Sequence, residues 1–573
     1  MAADRFSLSP IDYGIFGGFM CISVGVGIYY AVVDKLKNND QETKEPNTST
    51  ENYLMGGRSM HFVPVALSLL TTFISGKTLL GLPGEIFDRG MVFLVYFFMS
   101  IPSFIISCVF FVPIFYHLGV TSIYEYLEMR FHSVLIRKIC AAVFVLNTLV
   151  YMGGVVYGPA VAINSVTVMP THWAIILVGA TSTLYTTIGG LKAVVWTDTL
   201  QAGVMFAGLL AVIVKGSFDV GGFSKIWNVA VESGRAQTIL NFDPNPAQYM
   251  NIWVATIGGL TTFLSFYGVN QISLQRFCSV PSLREAQKVM ILAAPIYVGL
   301  QVMITYIGLL VLAYFYYCDP RETGEIRTND QLAVLFAAKV AENIPGFPGL
   351  LLACIFAATL STVSSAYNSL AAVIYNDYVK PRFGEKHALL VNKVIVFIAG
   401  VLSTCLAFSV QPLGGIVRSS VAILGATRGP VVGLFFLGVF VRSVSTRATI
   451  ISFAVSIATC VFLWLCSVIE NPYKDYHMPT NSSAVACQNR PFHQTHLPHS
   501  YDASYGPPET FYLSRISPFC YAFIGLVLVF FPAILLSYVF PPKEEGWSSG
   551  RRQSLTWLGR PVDKQTELER RVF

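Results

Sequence analysis

Charged residues are scarce in this sequence. Asp, Glu, Lys and Arg together make up 12% of its 573 residues, whereas hydrophobic residues make up 54%. Such a composition is typical of a chain that lies mostly in lipid and excludes a mainly water-soluble protein. The sequence therefore predicts a polytopic membrane protein whose surroundings are a lipid bilayer.

Motifs for catalysis are also missing. The sequence contains no Walker, Rossmann, HExxH or nucleophile-elbow pattern, and its nine histidines and eleven cysteines show no metal or redox spacing. The basic C-terminal tail, 551–571, suits a solvated or lipid-facing end better than a nucleic-acid site. These absences argue against an enzyme and against a nucleic-acid partner.

Long apolar segments recur along the whole chain. Because about 20 apolar residues suffice for a helix to cross a bilayer, each segment predicts one transmembrane helix. The sequence thus predicts an all-α protein with about thirteen spans, at 11–32, 60–84, 91–117, 135–162, 172–189, 194–216, 250–274, 288–316, 347–376, 390–409, 413–441, 446–469 and 516–540.

The distribution of Lys and Arg predicts the orientation. Most of the 38 basic residues fall in the odd-numbered loops and the C-terminal tail, and such an excess marks the cytoplasmic side. We therefore expect an extracellular N-terminus and a cytoplasmic C-terminus. Asn481, in an Asn-Ser-Ser sequence, then lies on the outer loop 470–515 as a glycan acceptor. Cys318 and Cys487 also fall on outer loops, where they could pair or stay free.

Two blocks of five spans, 60–216 and 250–441, each begin with an interrupted segment. The first contains the Gly- and Pro-bearing passage 76–84, and the second contains Tyr-Gly-Val-Asn-Gln at 267–271. An odd number of spans gives the blocks opposite orientations, which is typical of inverted repeats whose broken helices frame a site at the bilayer midplane. The remaining regions are the N-terminus with the first helix and a cytoplasmic loop, an outer loop, the flanking helices and a cytoplasmic tail, at 1–59, 217–249, 442–540 and 541–573.

Lys77 lies inside the first interruption, within Ser-Gly-Lys-Thr at 75–78. A lysine at the bilayer centre costs roughly 2.5 to 3.5 kcal/mol on insertion scales, so it should face a water-filled cavity or a partner. Broken backbone in a membrane is tolerated only where it is buried in protein or lines a cavity. Lys77 therefore marks a predicted solute or ion site.

Hydroxyl side chains are concentrated in the ninth predicted span. Segment 357–369 reads Ala-Ala-Thr-Leu-Ser-Thr-Val-Ser-Ser-Ala-Tyr-Asn-Ser. Sodium needs hard oxygen ligands, and broken-helix carbonyls with Ser or Thr hydroxyls supply them inside lipid. The same hydroxyls could instead bond the preceding turn or join helices. The sequence leaves both interpretations open.

A second polar segment, 189–201, turns between the fifth and sixth predicted spans. Asp198 and Gln201 share one face of the sixth span. The Asp198 carboxylate, at the inner end of this helix, could attract a departing cation, or it could pair with Lys192 as a structural bridge. Both roles stay open from the sequence.

Four segments are informative when they are taken together. They are Thr-Ser-Ile-Tyr-Glu-Tyr-Leu-Glu-Met-Arg-Phe at 121–131, the turn 189–201, Tyr-Gly-Val-Asn-Gln at 267–271 with Gln275-Arg276, and Leu-Ser-Thr-Val-Ser-Ser at 360–365. In this order they resemble the sodium/solute symporter family, especially its sodium-coupled monocarboxylate, multivitamin and iodide transporters. The resemblance covers about 11–540. It implies a leucine-transporter-like core of five-plus-five inverted repeats, alternating access and sodium-driven uptake at the plasma membrane.

The resemblance also implies site residues. For the main sodium site it implies the carbonyls of Leu70, Phe73 and Ala358 and the hydroxyls of Ser361 and Thr362. Further positions that resemble sodium-linked ones are Thr72, Thr359, Asp198 and Gln201. The substrate pocket would be lined by Lys77, Thr78 and Arg418, with Phe263, Phe266 and Tyr267 as the aromatic wall or inner gate.

Lys77 departs from the apparent relatives, because it falls where the monocarboxylate and iodide branch is apolar. Arg418 stands where the family often has a glutamine, and Arg428 stands where relatives carry a small residue. Cations that converge on a midplane pocket would attract an anion, since a charge in a low-dielectric cavity needs a counter-charge. Alternatively, Lys77 replaces a bound cation, or it pairs with Glu85 or Asp198 while Arg418 extends toward a surface.

We therefore expect sodium-coupled import of a small organic anion, either a monocarboxylate or a carboxylate-bearing vitamin. Two alternatives stay open. One is a sodium-independent uniporter or exchanger in which Lys77 stands in for the cation. The other is a nutrient sensor that binds its ligand without moving it.

Overall fold

The described residues of the computed structural model are almost entirely helical, with no β-strand among them. The structure describes residues 9–39, 55–167, 169–188, 190–326, 328–341, 344–384, 387–410, 416–474, 476–487 and 502–541.

The α-helices follow the apolar segments. In chain order they are α1 Pro10–Asn39, α2 Phe62–Phe73, α3 Gly76–Arg89, α4 Phe93–Phe98, α5 Ser100–Ile106, α6 Val112–Leu118, α7 Ile123–Phe131, α8 Val134–Val166, α9 Thr171–Ile188, α10 Leu191–Val220, α11 Phe223–Glu232, α12 Ile252–Tyr267, α13 Gln271–Phe277, α14 Leu283–Phe315, α15 Leu332–Ala341, α16 Phe347–Ile374, α17 Lys380–Phe383, α18 Ala388–Val410, α19 Ile416–Phe440, α20 Thr446–Glu470 and α21 Tyr521–Val539. Single π-helical stretches, Ser107–Phe111 and Tyr375–Val379, join α5 to α6 and α16 to α17. Short 3₁₀ helices lie at Gly56–Arg58, Ala236–Leu240, Asn329–Gln331, Ala503–Tyr505, Tyr512–Arg515 and Pro518–Cys520.

A helix or a bent helix pair stands at each of the thirteen predicted spans. In the described part, ten helical stretches are long and apolar enough to cross a membrane, and two bent pairs raise the number to twelve. The remaining prediction, 172–189, corresponds to α9, whose apolar stretch Thr171–Leu184 is shorter. The predicted boundary at 84 is too early, because α3 continues to Arg89.

The two bent pairs are α2 with α3 and α12 with α13, and each bends by 56°. The chain leaves α2 through Ile74, whose backbone is extended, and enters α3 at Gly76. It leaves α12 through Gly268 and Val269 and enters α13 after Asn270. The second interruption lies where it was predicted. The first break lies at Ile74 and Ser75, just before the predicted passage 76–84, which is itself helical in α3.

Helix α16 is the enclosed centre of the bundle. The stretch Phe347–Phe383 that contains it has 83% of its apolar window buried, against 22% for Pro10–Tyr29. Helix α16 packs against α10, α8 and α2. Its hydroxyl side chains therefore lie in the protein interior rather than in lipid.

The C-terminal end of α3 is held by ion pairs. Arg321 binds Asp88 of α3 at 2.6 Å and Asp319 at 2.5 Å. Burial lowers the pKa of Arg321, but the two carboxylates outweigh it and hold this pKa above the ordinary arginine value. His477 Nδ1 adds a contact to Asp88 at 3.0 Å. These side chains connect α3 to two long loops.

A disulfide between Cys318 and Cys487 joins the same two loops. Asn481 is exposed on the second loop, and the neighbouring Ser482 accepts the N–H of Asp319 at 3.0 Å. The structure thus resolves the question of Cys318 and Cys487 in favour of pairing.

Candidate functional site

The two broken helices meet at Phe73, the last residue of α2. The centroid of its ring lies 5.1 Å from that of Phe266 and 5.2 Å from that of Tyr267. Both partners belong to the last turn of α12. The breaks therefore face each other inside the bundle.

Backbone carbonyls are released from the helical ladder at the first break. The N–H of Ile74 donates to the Thr71 carbonyl at 3.3 Å, so Leu70 loses the donor that a continuing helix would provide. No backbone N–H of the described segments beyond α2 donates to the Phe73 carbonyl. The carbonyls of Leu70, which is buried, and Phe73 therefore lack the backbone donors of a continuing helix, and a buried carbonyl needs another partner.

Helix α16 brings hydroxyls to the same place. Ser361 Oγ donates to the carbonyls of Thr71 and Ala358, at 3.1 Å each. Thr362 Oγ1 donates to the Ala358 carbonyl at 2.9 Å. All of these residues are buried. The hydroxyls thus bond the preceding turn, as one interpretation expected, but Ser361 also lies at the break among hard oxygens that suit sodium.

Gly76 sets the distance between the first break and α16. A β-carbon at Gly76 would overlap the Thr359 hydroxyl and would lie 2.9 Å from the carbonyl of Ile355. Thr359 Oγ1 itself donates to the Ile355 carbonyl at 2.9 Å. Only glycine allows this approach, which places Thr359 beside the break.

Asp198 is fully buried within a hydrogen-bonded group. Ser68 Oγ donates to Asp198 Oδ2 at 2.5 Å, and an Nη atom of Arg276 lies 3.6 Å from the same oxygen. Arg276 also donates to Ser365 Oγ, which lies 2.9 Å from Thr72 Oγ1. The group connects α2, α10, α13 and α16, so it couples both broken helices to their neighbours.

The proposed bridge between Asp198 and Lys192 is therefore wrong. The cationic partner of Asp198 is Arg276, because α13 carries this guanidinium into the interior whereas Lys192 stays partly exposed. Within the described residues, Asp198 Oδ1 and both amide atoms of Gln201 are buried without a hydrogen-bond partner. Unsatisfied oxygens thus remain next to this group.

Lys77 lies in the first turn of α3 and is 5% exposed. Its Nζ stands 4.3 Å from the centroid of the Tyr151 ring, a distance suited to a cation–π contact. No described carboxylate lies within ion-pair distance of Lys77. The suggested partners are engaged elsewhere, Glu85 with Arg89 and Asp198 with Arg276. The suggested pairing of Lys77 with Glu85 or Asp198 is therefore wrong. The carboxylate whose charge acts on the Lys77 ammonium is that of Asp330, which lies beyond ion-pair distance.

The three residues of the predicted aromatic wall lie together at the second break. Phe263 stacks at 6.3 Å on Tyr267, and Phe266 and Tyr267 contact Phe73. Tyr267 Oη is buried and has no partner among the described residues. Thr78 Oγ1 lies 3.4 Å from Ser75 Oγ. The second break thus contributes a mainly aromatic surface.

The side chain of Arg418 lies outside the described residues. Arg428, in the same helix α19, is placed over the Phe266 ring at 5.0 Å, and its Nη1 is buried without a described partner. Arg428 was already one of the cations that the sequence suggested for a midplane pocket, whereas Tyr151 and Arg276 were not among the predicted site residues. Tyr151 had a detectable signal, since it follows Asn147 by one helical turn, but its contact with Lys77 depends on packing.

Known proteins are similar to this sequence over most of its length. The model of the sodium:solute symporter family matches residues 53–455. Sodium-coupled monocarboxylate transporter 1 of Mus musculus is 36% identical over 483 residues, which cover 83% of this chain and 76% of that protein. Sodium-coupled monocarboxylate transporter 2 of Homo sapiens is 37% identical over 434 residues, which cover 75% of this chain and 68% of that protein.

The fold also has a counterpart among solved structures. A Na⁺-coupled sialic acid symporter in a substrate-bound outward-open state matches with a TM-score of 0.75 and 22% identity, over 94% of this chain and all of that one. This match confirms the expected leucine-transporter-like fold, and the relatives confirm a transporter rather than an enzyme. With its family match and its relatives above 30% identity, the chain belongs to the sodium:solute symporter family.

Proposed function

We propose that this protein imports a small organic monocarboxylate with sodium, and that Lys77 holds the carboxylate. Membership in the family supports sodium-coupled symport, and the substrate class is the further step. The proposal depends mainly on the position of Lys77. This residue is buried at the first break against Tyr151, and no described carboxylate forms an ion pair with it. A buried ammonium is costly without a counter-charge, and an anionic solute supplies that charge. Two relatives are named as sodium-coupled monocarboxylate transporters.

Sodium is the coupling ion in this proposal and binds opposite the substrate. Its ligands are the carbonyls of Leu70, Phe73 and Ala358 with the hydroxyls of Ser361 and Thr362. The released carbonyls and the hydroxyls meet where α2 ends against α16. An ion there draws the two helices together and thereby shapes the adjacent pocket around Lys77.

The aromatic side chains at the second break form the other wall of the pocket. Phe266 and Tyr267 pack on Phe73, so the apolar part of a short-chain acid or a carboxylate-bearing vitamin would lie against them. Alternating access then requires the two breaks to open first toward one side and then toward the other.

We further infer that the protein lies in the plasma membrane with its N-terminus outside. Support comes from the Cys318–Cys487 disulfide, which suits an oxidising exterior, and from the exposed Asn481 on the same side. Peptide N-glycosidase F should increase the gel mobility of the protein from intact cells, and the Asn481→Gln variant should no longer respond. A glycan elsewhere, or none, would contradict this orientation.

Lys77 also favours a second candidate, a sodium-independent anion uniporter or exchanger. In that case the ammonium of Lys77 takes the place of a coupling cation, and the carboxylate of the substrate binds without sodium. The distinction is experimental, because both mechanisms place the same substrate beside Lys77.

Uptake of labelled lactate, pyruvate, nicotinate, biotin and iodide in cells expressing the full chain tests the proposal. We expect accumulation of at least one carboxylate with sodium outside and its loss when choline replaces sodium. Accumulation that persists in choline supports the uniporter or exchanger. Binding without accumulation supports the sensor, and transport of iodide alone overturns the carboxylate assignment.

A further inference from the structure

A small, partly open cavity lies next to the second break, on the side of α7. Its polar lining comes from Tyr124, Asn147, Ser265, Asn270 and Arg428, and its other walls are mostly apolar. Neither Lys77 nor any of the proposed sodium ligands lines it. The cavity therefore has a lining of its own, although its Arg428 is close enough to Lys77 for the two charges to repel each other.

Arg428 brings an uncompensated positive charge into this cavity. One face of its guanidinium covers the Phe266 ring, and its Nη1 is buried without a described partner. No described carboxylate lies within 4 Å of it. Asp377 is bound instead by Arg137 at 2.6 Å and by Ser122 at 2.8 Å. Because a buried charge without a partner is costly, the cavity favours an anion.

The other polar groups of the cavity are suited to donate hydrogen bonds. Asn147 Nδ2 is buried and has no described partner. Asn270 uses its side-chain oxygen to accept the Ile272 N–H at 2.9 Å, which leaves its amide NH₂ group. Ser265 already donates to the Thr262 carbonyl at 2.7 Å. A cavity with amide donors, one guanidinium and no lining carboxylate matches the chemistry of a carboxylate.

The cavity continues the path from Lys77 along one face of α8. Cys140, Phe144 and Asn147 line it at helical spacing, and Tyr151, which contacts Lys77, is the next residue on that face. At 1.5 Å per residue, Cys140 and Tyr151 are separated by about 16 Å along the helix. The cavity lies toward the start of α8, which is the cytoplasmic end in the predicted orientation.

We propose that Arg428, with Asn147 and Asn270, forms a second anion site that receives the carboxylate of the solute after it leaves Lys77. The site acts on the cytoplasmic side of the transport path and releases the solute to the cell interior. This identification rests on the proposed function, because the carboxylate is that of the transported solute.

Cys140 offers a test that does not depend on transport. The purified full chain in proteoliposomes is treated from the side of α7 with an anionic or a cationic methanethiosulfonate, and modification of Cys140 is measured by peptide mass spectrometry. Since the unpaired charge of Arg428 attracts the anionic reagent, we expect it to react faster than the cationic one. In Arg428→Gln this ratio should fall by about tenfold. Arg428→Lys keeps a positive charge, so this variant should retain most of the preference for the anionic reagent.

Protection of Cys140 from the reagent tests which anion occupies the site. Lactate or nicotinate should slow the reaction of Cys140, and chloride at equal concentration should not. Protection by chloride alone would replace the carboxylate by an inorganic anion and overturn the proposal. An unchanged reagent ratio in Arg428→Gln, or no modification of Cys140 from either side, would also overturn it. Asn147→Ala removes a donor that has no described partner, so the variant should fold normally. Lactate or nicotinate should then protect Cys140 less than in the wild type.

Transport from the two sides separates this inference from the proposed function. In proteoliposomes, Arg428→Gln should raise the internal lactate concentration for half-maximal efflux about tenfold and leave the external KM within about twofold. Equal changes on both sides would make Arg428 part of the central pocket. Absence of any carboxylate transport by the wild type would reject the proposed function, whereas the labelling ratio would still decide whether an anion site exists.

Discussion

The two broken helices bend by the same 56°, yet their polar groups are satisfied in different ways. At the first break, Ser75 precedes α3 without a side-chain cap, and the carbonyls of Leu70 and Phe73 lack the donors of a continuing helix. At the second break, Asn270 caps α13 at 2.9 Å. The first break is thus open to ligands, and the second is completed by its own chain.

Gln271 provides a second difference between the two breaks. Its side-chain oxygen accepts the Ile123 N–H at 2.8 Å, and its NH₂ group donates to the Thr121 carbonyl at 2.7 Å. The second break is therefore attached to the loop that begins α7. From this contrast we infer that the first break binds substrate and ion in the central pocket. The second break supports the aromatic wall, contributes Asn270 to the proposed second anion site and moves with α7.

Removal of the charge at the first break should have the largest effect. In Lys77→Met, the external KM for carboxylates should rise about 10- to 100-fold, because a hydrogen bond to a charged group contributes about 1.5 to 3 kcal/mol. Concentration-dependent uptake at fixed sodium measures this change. Lys77→Arg should retain more affinity than Lys77→Met, since it keeps the charge.

Lys339→Met is the matched control for Lys77→Met. It removes a lysine that pairs with Glu325 on the surface, and it should leave the KM unchanged. An unchanged KM in Lys77→Met, with normal surface expression, would show that Lys77 does not contact the substrate and would remove the contrast between the breaks.

Loss of a hydroxyl beside the first break should have a smaller effect. Ser361→Ala and Thr362→Ala should each raise the sodium concentration for half-maximal uptake about three- to tenfold, because one neutral ligand contributes about 0.5 to 1.5 kcal/mol. Sodium titration of lactate uptake measures the shift. Ser452→Ala in α20 is the control, since its buried hydroxyl has no described partner. If neither variant differs from this control, the ion site lies elsewhere.

The spans and both breaks could be predicted from the sequence because their signals are local. Long apolar stretches predict helices such as α8 and α14, and the chain bends next to glycines 76 and 268. The hydroxyl-rich stretch 357–369 likewise indicated the oxygen-lined part of α16. These features depend on neighbours in the sequence and on the solvent that lipid provides.

The pairing of charges could not be predicted in this way. Asp198 lies near Lys192 in the sequence, but the bundle brings it to Arg276. Asp12 of α1 gave no signal at all, yet its Oδ1 accepts the N–H groups of Gly346 and Gly349 at 3.0 Å each and caps the start of α16. Such contacts follow from helix packing, which determines which buried donors and acceptors face each other.

The smallest expected effect is that of removing the helix cap at the second break. This change tests whether the second break leaves the sodium site unaffected. Asn270→Ala removes the cap of α13, which costs about 1 kcal/mol, and should lower the maximal uptake rate about fivefold while the half-maximal sodium concentration stays constant. Asn251→Ala is the control, because Asn251 caps the other end of this bent pair by accepting the Val254 N–H at 2.8 Å. Both variants should lower thermal stability to a similar extent, but only Asn270→Ala should slow transport. A sodium shift in Asn270→Ala would mean that the second break also shapes the ion site, and the two breaks would then differ less than their caps indicate.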